Sequence, residues 1–183
     1  MVEPFRIEPL THADWPAVRR IYAEGIATGD STFETEVPDW SHWDHSHRAE
    51  CRLVARDPVS GEIVGWTALT SVSSRRVYAG VAWESVYVAA AWRGRGAGRA
   101  LLEALITASE AAGFWTLQAG VLAENAASLA VHERVGFRRV GVQVRLGRDT
   151  AGRWRDRVLL ERRSTVVGRA DGENDEDVTT PAR

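Results

Sequence analysis

A mixed α/β (α+β) domain, with a mostly antiparallel sheet flanked by helices, is the fold that the sequence predicts. Three observations carry this expectation. Hydrophobic periodicity changes along the chain in the order β-α-α-β-β-β-α-β-α-β-β, which is not the regular alternation of a doubly wound parallel sheet. Two pairs of strand-like runs are joined by the turn sequences Asp57-Pro58-Val59-Ser60-Gly61 and Asp149-Thr150-Ala151-Gly152, as in antiparallel hairpins. Between them, a valine-rich run enters a glycine loop that opens an amphipathic helix.

Each element has a local reason. Phe5 to Leu10 alternates as a first strand. Thr11 is placed to cap the first helix, with Asp14 three residues on in a capping-box arrangement. Val18, Ile21, Tyr22 and Ile26 recur at helical spacing up to about Thr28, and Pro16 fits only near that helix's start. Gly29-Asp30-Ser31-Thr32 ends it and leads into a polar loop with Phe33 and Glu34. Pro38, Asp39 and Ser41 introduce a short second helix through about His47. Arg52 to Arg56 and Glu62 to about Val72 form the first hairpin. Ser73 to Arg76 is a loop, and Tyr78 to Val88 returns as a strand. After Gly98, Leu101, Leu102, Leu105, Ile106 and Ala112 share one helix side, and Arg99, Glu103, Thr107 and Glu110 largely the other. Gly113 suits a left-handed stop. Trp115 to Val121 is a strand and Asn125 to Val135 a helix stopped by Gly136. Arg138 to Leu146 and Trp154 to Glu161 make the last hairpin.

At 183 residues the chain is long enough for one well-packed domain. No run reaches the ~18 apolar residues of a membrane span, and no signal-peptide pattern is present at the N-terminus. The single Cys51 excludes an intrachain disulfide and makes a reducing cytoplasm the expected setting. Arg169 and Arg183 oppose Asp171, Glu173, Asp175, Glu176 and Asp177, so residues 164–183 carry −3 of the chain's formal −2 and the rest is +1. A near-neutral body does not suggest a nucleic-acid binder. The expected division is therefore a domain over 1–163 and a disordered acidic tail over 164–183. His42, His45 and His47 lack an acidic or cysteine partner at ligand spacing, and no metal site is expected. Cys51 lies at a strand start with no nearby partner that would make it a nucleophile.

Arg93-Gly94-Arg95-Gly96-Ala97-Gly98-Arg99 is the most informative stretch. Glycines at the start of a helix let a ligand approach unpaired amides, and arginines beside them add fork-shaped positive charge, so the stretch is built for an anion such as a phosphate or pyrophosphate. The dinucleotide fingerprint fails because Arg99 stands where its third glycine belongs. The P-loop fails because the chain contains no lysine.

With Val86-Tyr87-Val88 before it and a helix after it, this loop resembles the acetyl-CoA pyrophosphate loop of GNAT acyltransferases. The order of elements agrees over nearly all of residues 3–163. Within that superfamily the chain is similar to phosphinothricin and methionine sulfone/sulfoximine acetyltransferases. The resemblance rests on Ser31-Thr32-Phe33-Glu34, Gly65-Trp66, Tyr78 before Ser85-Val86-Tyr87-Val88, and Asn125-x-x-Ser128-x-x-x-His132-Glu133-x-x-Gly136-Phe137. It implies the acyl-CoA N-acyltransferase fold, acetyl-CoA as cofactor, a small-molecule amine as acceptor and a homodimer, with no nucleic-acid or membrane partner. It assigns the cofactor to Val86, Tyr87, Val88, residues Arg93 to Arg99, Asn125 and Ser128. Asn125 is also a natural helix cap.

The same resemblance implies that backbone amides of Val86, Tyr87 and Val88 stabilise charge on the thioester oxygen, and that His132 serves as an acid toward the leaving thiolate. It places the general base two residues before Ser85, where this chain has Trp83. Glu84 is the first candidate for the base, with Glu34 or a water relay as alternatives. One residue of displacement along a strand turns a side chain to the opposite face unless a bulge intervenes. For the acceptor, Phe33, Glu34, Ser73, Arg75, Arg76, Trp83 and Ser85 are the candidates, with Arg75 at the family's position for anionic substrates. An acetyltransferase for protein N-termini or another amine, and a CoA-binding regulatory domain without catalysis, remain alternatives.

Overall fold

The computed structural model describes residues 5–168. Seven strands form one sheet in the order β1-β2-β3-β4-β5-β7-β6: β1 Arg6–Pro9, β2 Leu53–Arg56, β3 Ile63–Ser71, β4 Val81–Val88, β5 Thr116–Leu122, β6 Arg138–Arg148 and β7 Trp154–Arg163. Helices α1 Trp15–Ala27 and α2 Trp40–Ser46 cover one face, while α3 Ala97–Ala111 and α4 Ala126–Arg134 cover the other. Every strand pair is antiparallel except β4 with β5. The mixed, mostly antiparallel fold agrees with the expectation from the sequence.

The local signals act where they were expected. Asp14 Oδ2 accepts from the Thr11 N–H at 2.8 Å, closing the capping box ahead of α1. Asp39 Oδ1 caps α2 by accepting from the His42 N–H. One core lies between α3, α4 and β3–β5–β7, built from residues such as Leu102, Leu105, Leu117 and Leu160. The other, under α1 and α2, is aromatic: Trp43 and Trp66 are fully buried, and Trp66 stacks on Tyr87 at 4.8 Å between centroids. Most tryptophans of this chain are spent there.

The feature that positions the site is where β4 and β5 part. They pair only from Val81↔Thr116 to Trp83↔Gln118, while β4 continues against β3 without interruption to Gly65↔Val88. The Ala89 N–H bonds to the Val64 carbonyl at 2.8 Å and sets the alternation along β4. Odd-numbered residues exchange their bonds with β3, and the backbone groups of Glu84, Val86 and Val88 face the β5 side, where no strand meets them.

Two boundaries differ from expectation. β4 begins at Val81 rather than Tyr78, because Arg76–Tyr78 form a 3₁₀ turn and Gly80 is pressed against Trp115. The Gly80 carbonyl takes the N–H groups of both Trp115 and Thr116, so the short pairing of β4 with β5 starts there. The division at 163/164 also falls inside folded structure. Ser164 is buried, its Oγ accepts from the N–H groups of Val166 and Val167, and Arg163 bonds the carbonyls of Val167 and Gly168. The remainder of the acidic tail, 169–183, lies outside the described residues.

Candidate active site

At the opening between β4 and β5, two hollows adjoin. A cleft of about 620 Å³ runs along β4, the α3 N-terminus and α4. A smaller cavity of about 260 Å³ lies between the Ser31–Glu34 loop, β4, β5 and Arg157. Ser31, Val86, Tyr87, Asn125 and Ser128 line both.

The cleft contains the anion cradle. Gly94 and Gly96 have φ of 74° and 93°, a left-handed backbone that side chains with a Cβ rarely adopt. The first bond of α3 runs from the Ala100 N–H to the Gly96 carbonyl, so the amides of Ala97, Gly98 and Arg99 have no acceptor within the helix. A Cβ on Gly98 would only touch Val88 at 3.5 Å, so the bare Cα leaves room over those amides for a ligand. The helix dipole adds partial positive charge there, and Arg93 and Arg99 line the cleft. Arg93 is oriented by its Nε–H bond to the Val88 carbonyl at 3.2 Å. Arg95 does not line the cleft: its guanidinium lies over the Trp92 ring, at 4.9 Å. These donors fit the diphosphate of acetyl-CoA, and the unpaired β4 edge beside them fits an extended amide-bearing chain. Of the three expected strand amides, Val86 and Val88 point into the gap, while Tyr87 is committed to β3.

Asn125 acts structurally at both ends of its amide. Oδ1 caps α4 by accepting from the Ser128 N–H at 3.0 Å, and Nδ2 donates to the Asp30 carbonyl at 3.1 Å. It thereby ties the start of α4 to the loop before Phe33. The same loop is gripped from β7. Arg155, with a side chain 7% exposed, bonds the Gly29 carbonyl and Asp30 and also meets Glu124 and Asp149. Phe33 lies against bare Gly147 of β6, where a Cβ would stand 2.7 Å from the ring.

Glu84 and His132 come together across 48 residues of sequence: Nε2 and Oε1 are 2.7 Å apart, with side chains 1% and 4% exposed for His132 and Glu84 respectively. No bulge interrupts β4, so Glu84 does point away from the Trp83–Ser85–Tyr87 face, toward α4. It reaches the cavity because the strands have parted. The His132 Nδ1 lies 2.7 Å from the Ser128 carbonyl, which can only accept, so Nδ1 carries a proton. The short Nε2···Oε1 contact then shares one further proton. Burial alone would lower the His132 pKa, but the Glu84 charge, its hydrogen bond and the Ser128 carbonyl outweigh burial and raise it above the usual 6.5. Glu84 Oε2 is buried with no partner among the described residues.

Phe33, Glu34 and Ser85 line the cavity as expected. Ser73, Arg75, Arg76 and Trp83 do not. Arg75 and Arg76 are exposed, and Arg75 rests over Tyr78 at 5.6 Å. Trp83 lies beneath Arg157, a cavity residue that sequence reasoning passed over because nothing local marks it. Its only signal is strand parity: Arg157 pairs in register with Leu122 and faces away from the α3–α4 core, as Gly120 does. Burial pushes the Cys51 thiol up to about 11, and Cys51 lines neither hollow. Among the described residues, no group of three His, Cys, Asp or Glu side chains gathers as a metal site.

An anion cradle at a helix start, a sheet that opens beside it and a buried carboxylate–imidazole pair at the opening are features that an acyltransferase can use. The signature of the acetyltransferase (GNAT) family matches residues 15–137, and the chain belongs to that family, as an acetyl-CoA-dependent acetyltransferase. It is 35% identical over 157 residues to a phosphinothricin N-acetyltransferase of Alcaligenes faecalis, covering 81% of this chain and 77% of that protein. It is 30% identical over 154 residues to an L-methionine sulfoximine/L-methionine sulfone acetyltransferase of Pseudomonas paraeruginosa, covering 81% and 88%. Its fold superposes with a TM-score of 0.81 on the crystal structure of a GNAT superfamily phosphinothricin acetyltransferase from Sinorhizobium meliloti in complex with acetyl-CoA, at 24% identity over 95% of this chain and 97% of that one.

Proposed function

We propose that this enzyme acetylates the free α-amine of a small amino-acid-like acceptor, of the phosphinothricin or methionine sulfone/sulfoximine type, by direct attack in a ternary complex. The observation that carries it is the adjoining of the two hollows at Val86 and Tyr87, with the Glu84–His132 pair in the wall of the smaller one. A cavity of about 260 Å³ suits a molecule of amino-acid size. The two curated relatives act on acceptors of that kind by name.

Acetyl-CoA, when bound, supplies the acetyl group as a thioester. The α3 amides with Arg93 and Arg99 would hold its diphosphate, Asn125 and Ser128 would contact its arm, and the Val86 and Val88 N–H groups would offer hydrogen bonds in the gap, where charge stabilisation is needed. Glu84 and His132 handle the proton. In the form lacking the shared proton, the pair accepts one from the acceptor's ammonium and holds it as carboxylate and imidazolium. Tyr87, which stacks on Trp66 and meets Tyr22 at a tilt, lines the cavity beside this exchange. Glu34 is exposed at the cavity rim and is less suited to hold a proton.

Release of CoA, followed spectrophotometrically, tests the acceptor class. Turnover is expected with phosphinothricin, methionine sulfone or methionine sulfoximine. Absence of release above background with all three, alongside turnover of peptides bearing free N-termini, would overturn it in favour of a peptide acetyltransferase.

A homodimer in the cytoplasm completes this proposal. Strand β6 is one edge of the sheet and exposes Val140, Val142, Val144 and Leu146. An apolar edge left open invites non-specific strand pairing, which a specific partner copy prevents. Cys51, the single cysteine, fits a reducing compartment. Among the described residues no helix is long and apolar enough to cross a membrane. Sedimentation equilibrium is expected to give twice the chain mass, with Val142→Glu shifting it to one. A wild-type monomer at tens of micromolar would refute the dimer.

A further inference from the structure

Arg157 is the one arginine among the residues lining the acceptor cavity. Other arginines withdrawn from solvent meet carboxylates or backbone carbonyls: Arg52 meets Asp44, Arg56 meets Glu8 and Asp14, Arg155 meets Asp30, Glu124 and Asp149, Arg162 meets Glu110, and Arg163 meets the Trp115, Val167 and Gly168 carbonyls. Arg157 meets none among the described residues. Its Nε–H donates to Gln143 Oε1 at 2.8 Å, which fixes one edge of the guanidinium from β6. Its stem crosses β5 where Gly120 has no side chain, since a Cβ there would stand 2.8 Å from the Arg157 Cδ. Its Cζ lies 5.3 Å from the Trp83 ring centroid, so the indole beneath it offers a π face and no acceptor oxygen. Nη1 and Nη2, the two fork nitrogens, have no hydrogen-bond acceptor among the described residues.

A guanidinium withdrawn from water by a glycine slot, oriented by a glutamine and supported by an indole is positioned at a real desolvation cost, and burial does depress its pKa. Among the described residues no carboxylate forms an ion pair with it to offset that cost. We propose that Arg157 is the carboxylate receptor of the acceptor site: its Nη fork binds the α-carboxylate of an amino-acid acceptor and presents the α-amine to Glu84 and His132. This deepens the acceptor reading above and rests on it. An α-amino acid carries carboxylate and amine on one carbon, which matches a cavity with a cation on one wall and a proton-accepting pair on another. The assignment moves recognition from the exposed Arg75 and Arg76 to a residue built into the sheet.

The test compares methionine sulfone with its decarboxylated counterpart, 3-(methylsulfonyl)propylamine. In Arg157→Gln, KM for methionine sulfone is expected to rise about 30-fold or more, the scale of a lost charge-assisted hydrogen-bonded pair, with KM for the amine lacking a carboxylate unchanged. Gly120→Ala, which crowds Arg157 out of its slot, should shift the same ratio in the same direction, and Arg157→Lys should restore part of it. Equal effects on both acceptors, or none on either, would overturn the assignment. Calorimetric binding of methionine sulfone reads the same contact without turnover. Should the wild type transfer acetyl to no acceptor, the function proposed above fails, and calorimetry decides Arg157 separately. Binding by the wild type lost in Arg157→Gln supports the receptor, whereas equal binding, or none by either protein, refutes it.

Discussion

Glu84→Gln is expected to lower kcat by about 10²- to 10⁴-fold, the range for losing a positioned acid–base group, with little change in thermal stability at pH above the raised pKa of the pair. The substitution is nearly isosteric. With the His132 Nδ1–H held by the Ser128 carbonyl, the new amide can donate to Nε2, so the contact now at 2.7 Å persists while the proton acceptor is gone. The wild-type rate should rise with pH through an apparent pKa above 6.5, because the pair must first lose its shared proton and His132 is raised. The variant should lose that limb, its residual rate following the acceptor's free-amine fraction. A kcat unchanged across pH would remove Glu84 from the chemistry. Stability has its own sign. Between 6.5 and the raised value, the folded protein binds more protons than the unfolded chain, so the pair's stabilisation is complete below 6.5 and declines as pH rises through the raised pKa. Melting temperature against pH should show that decline in the wild type and not in Glu84→Gln.

Gly80→Ala is expected to destabilise the fold by about 1–3 kcal/mol or more through overpacking. A Cβ at residue 80 would lie 2.1 Å from Trp115 Cε3 and 2.4 Å from two further ring atoms, so the indole or the backbone must shift. Position matters as much as volume. The Gly80 carbonyl receives both Trp115 and Thr116 N–H groups at the apex from which β4 and β5 diverge. Prying the strands apart there widens the gap that holds the Val86 and Val88 amides, so kcat should fall along with stability. Gly141→Ala, where a Cβ meets nothing within 4 Å, is the control and should stay within about 0.5 kcal/mol. Urea unfolding of both variants checks this, and equal midpoints would contradict the clash.

Legibility in the sequence divides by range. The capping of α1 by Thr11 and Asp14, the cap at Asn125 and the glycine cradle ahead of α3 are contacts within a few residues, so pattern and spacing suffice for them. The start of β4 was misplaced because Tyr78 and Val81 look equally strand-like, and only Trp115, far along the chain, decides that the strand begins beyond Gly80. Ser164 reads as the start of a polar tail, yet its backbone N–H bonds to the Trp115 carbonyl and its hydroxyl to Glu110. Arg75 and Arg76 drew attention as neighbouring charges on a loop, and the fold leaves them in solvent.

By itself, then, the sequence determined the order of elements, the family and the glycine cradle at the start of α3, because each rests on patterns that short segments encode. It also named Glu84 and His132, but strand parity alone set Glu84 on the face away from Ser85 and left its partner unstated. Only the tertiary structure decided that β4 and β5 separate after Trp83 and Gln118, that α4 brings His132 to within 2.7 Å of Glu84 in that opening, and that Arg157 crosses a bare Gly120 into the acceptor cavity. Those are relations between strands and helices that pack from distant parts of the chain. Parity tells which side a residue takes, and only packing tells what waits there.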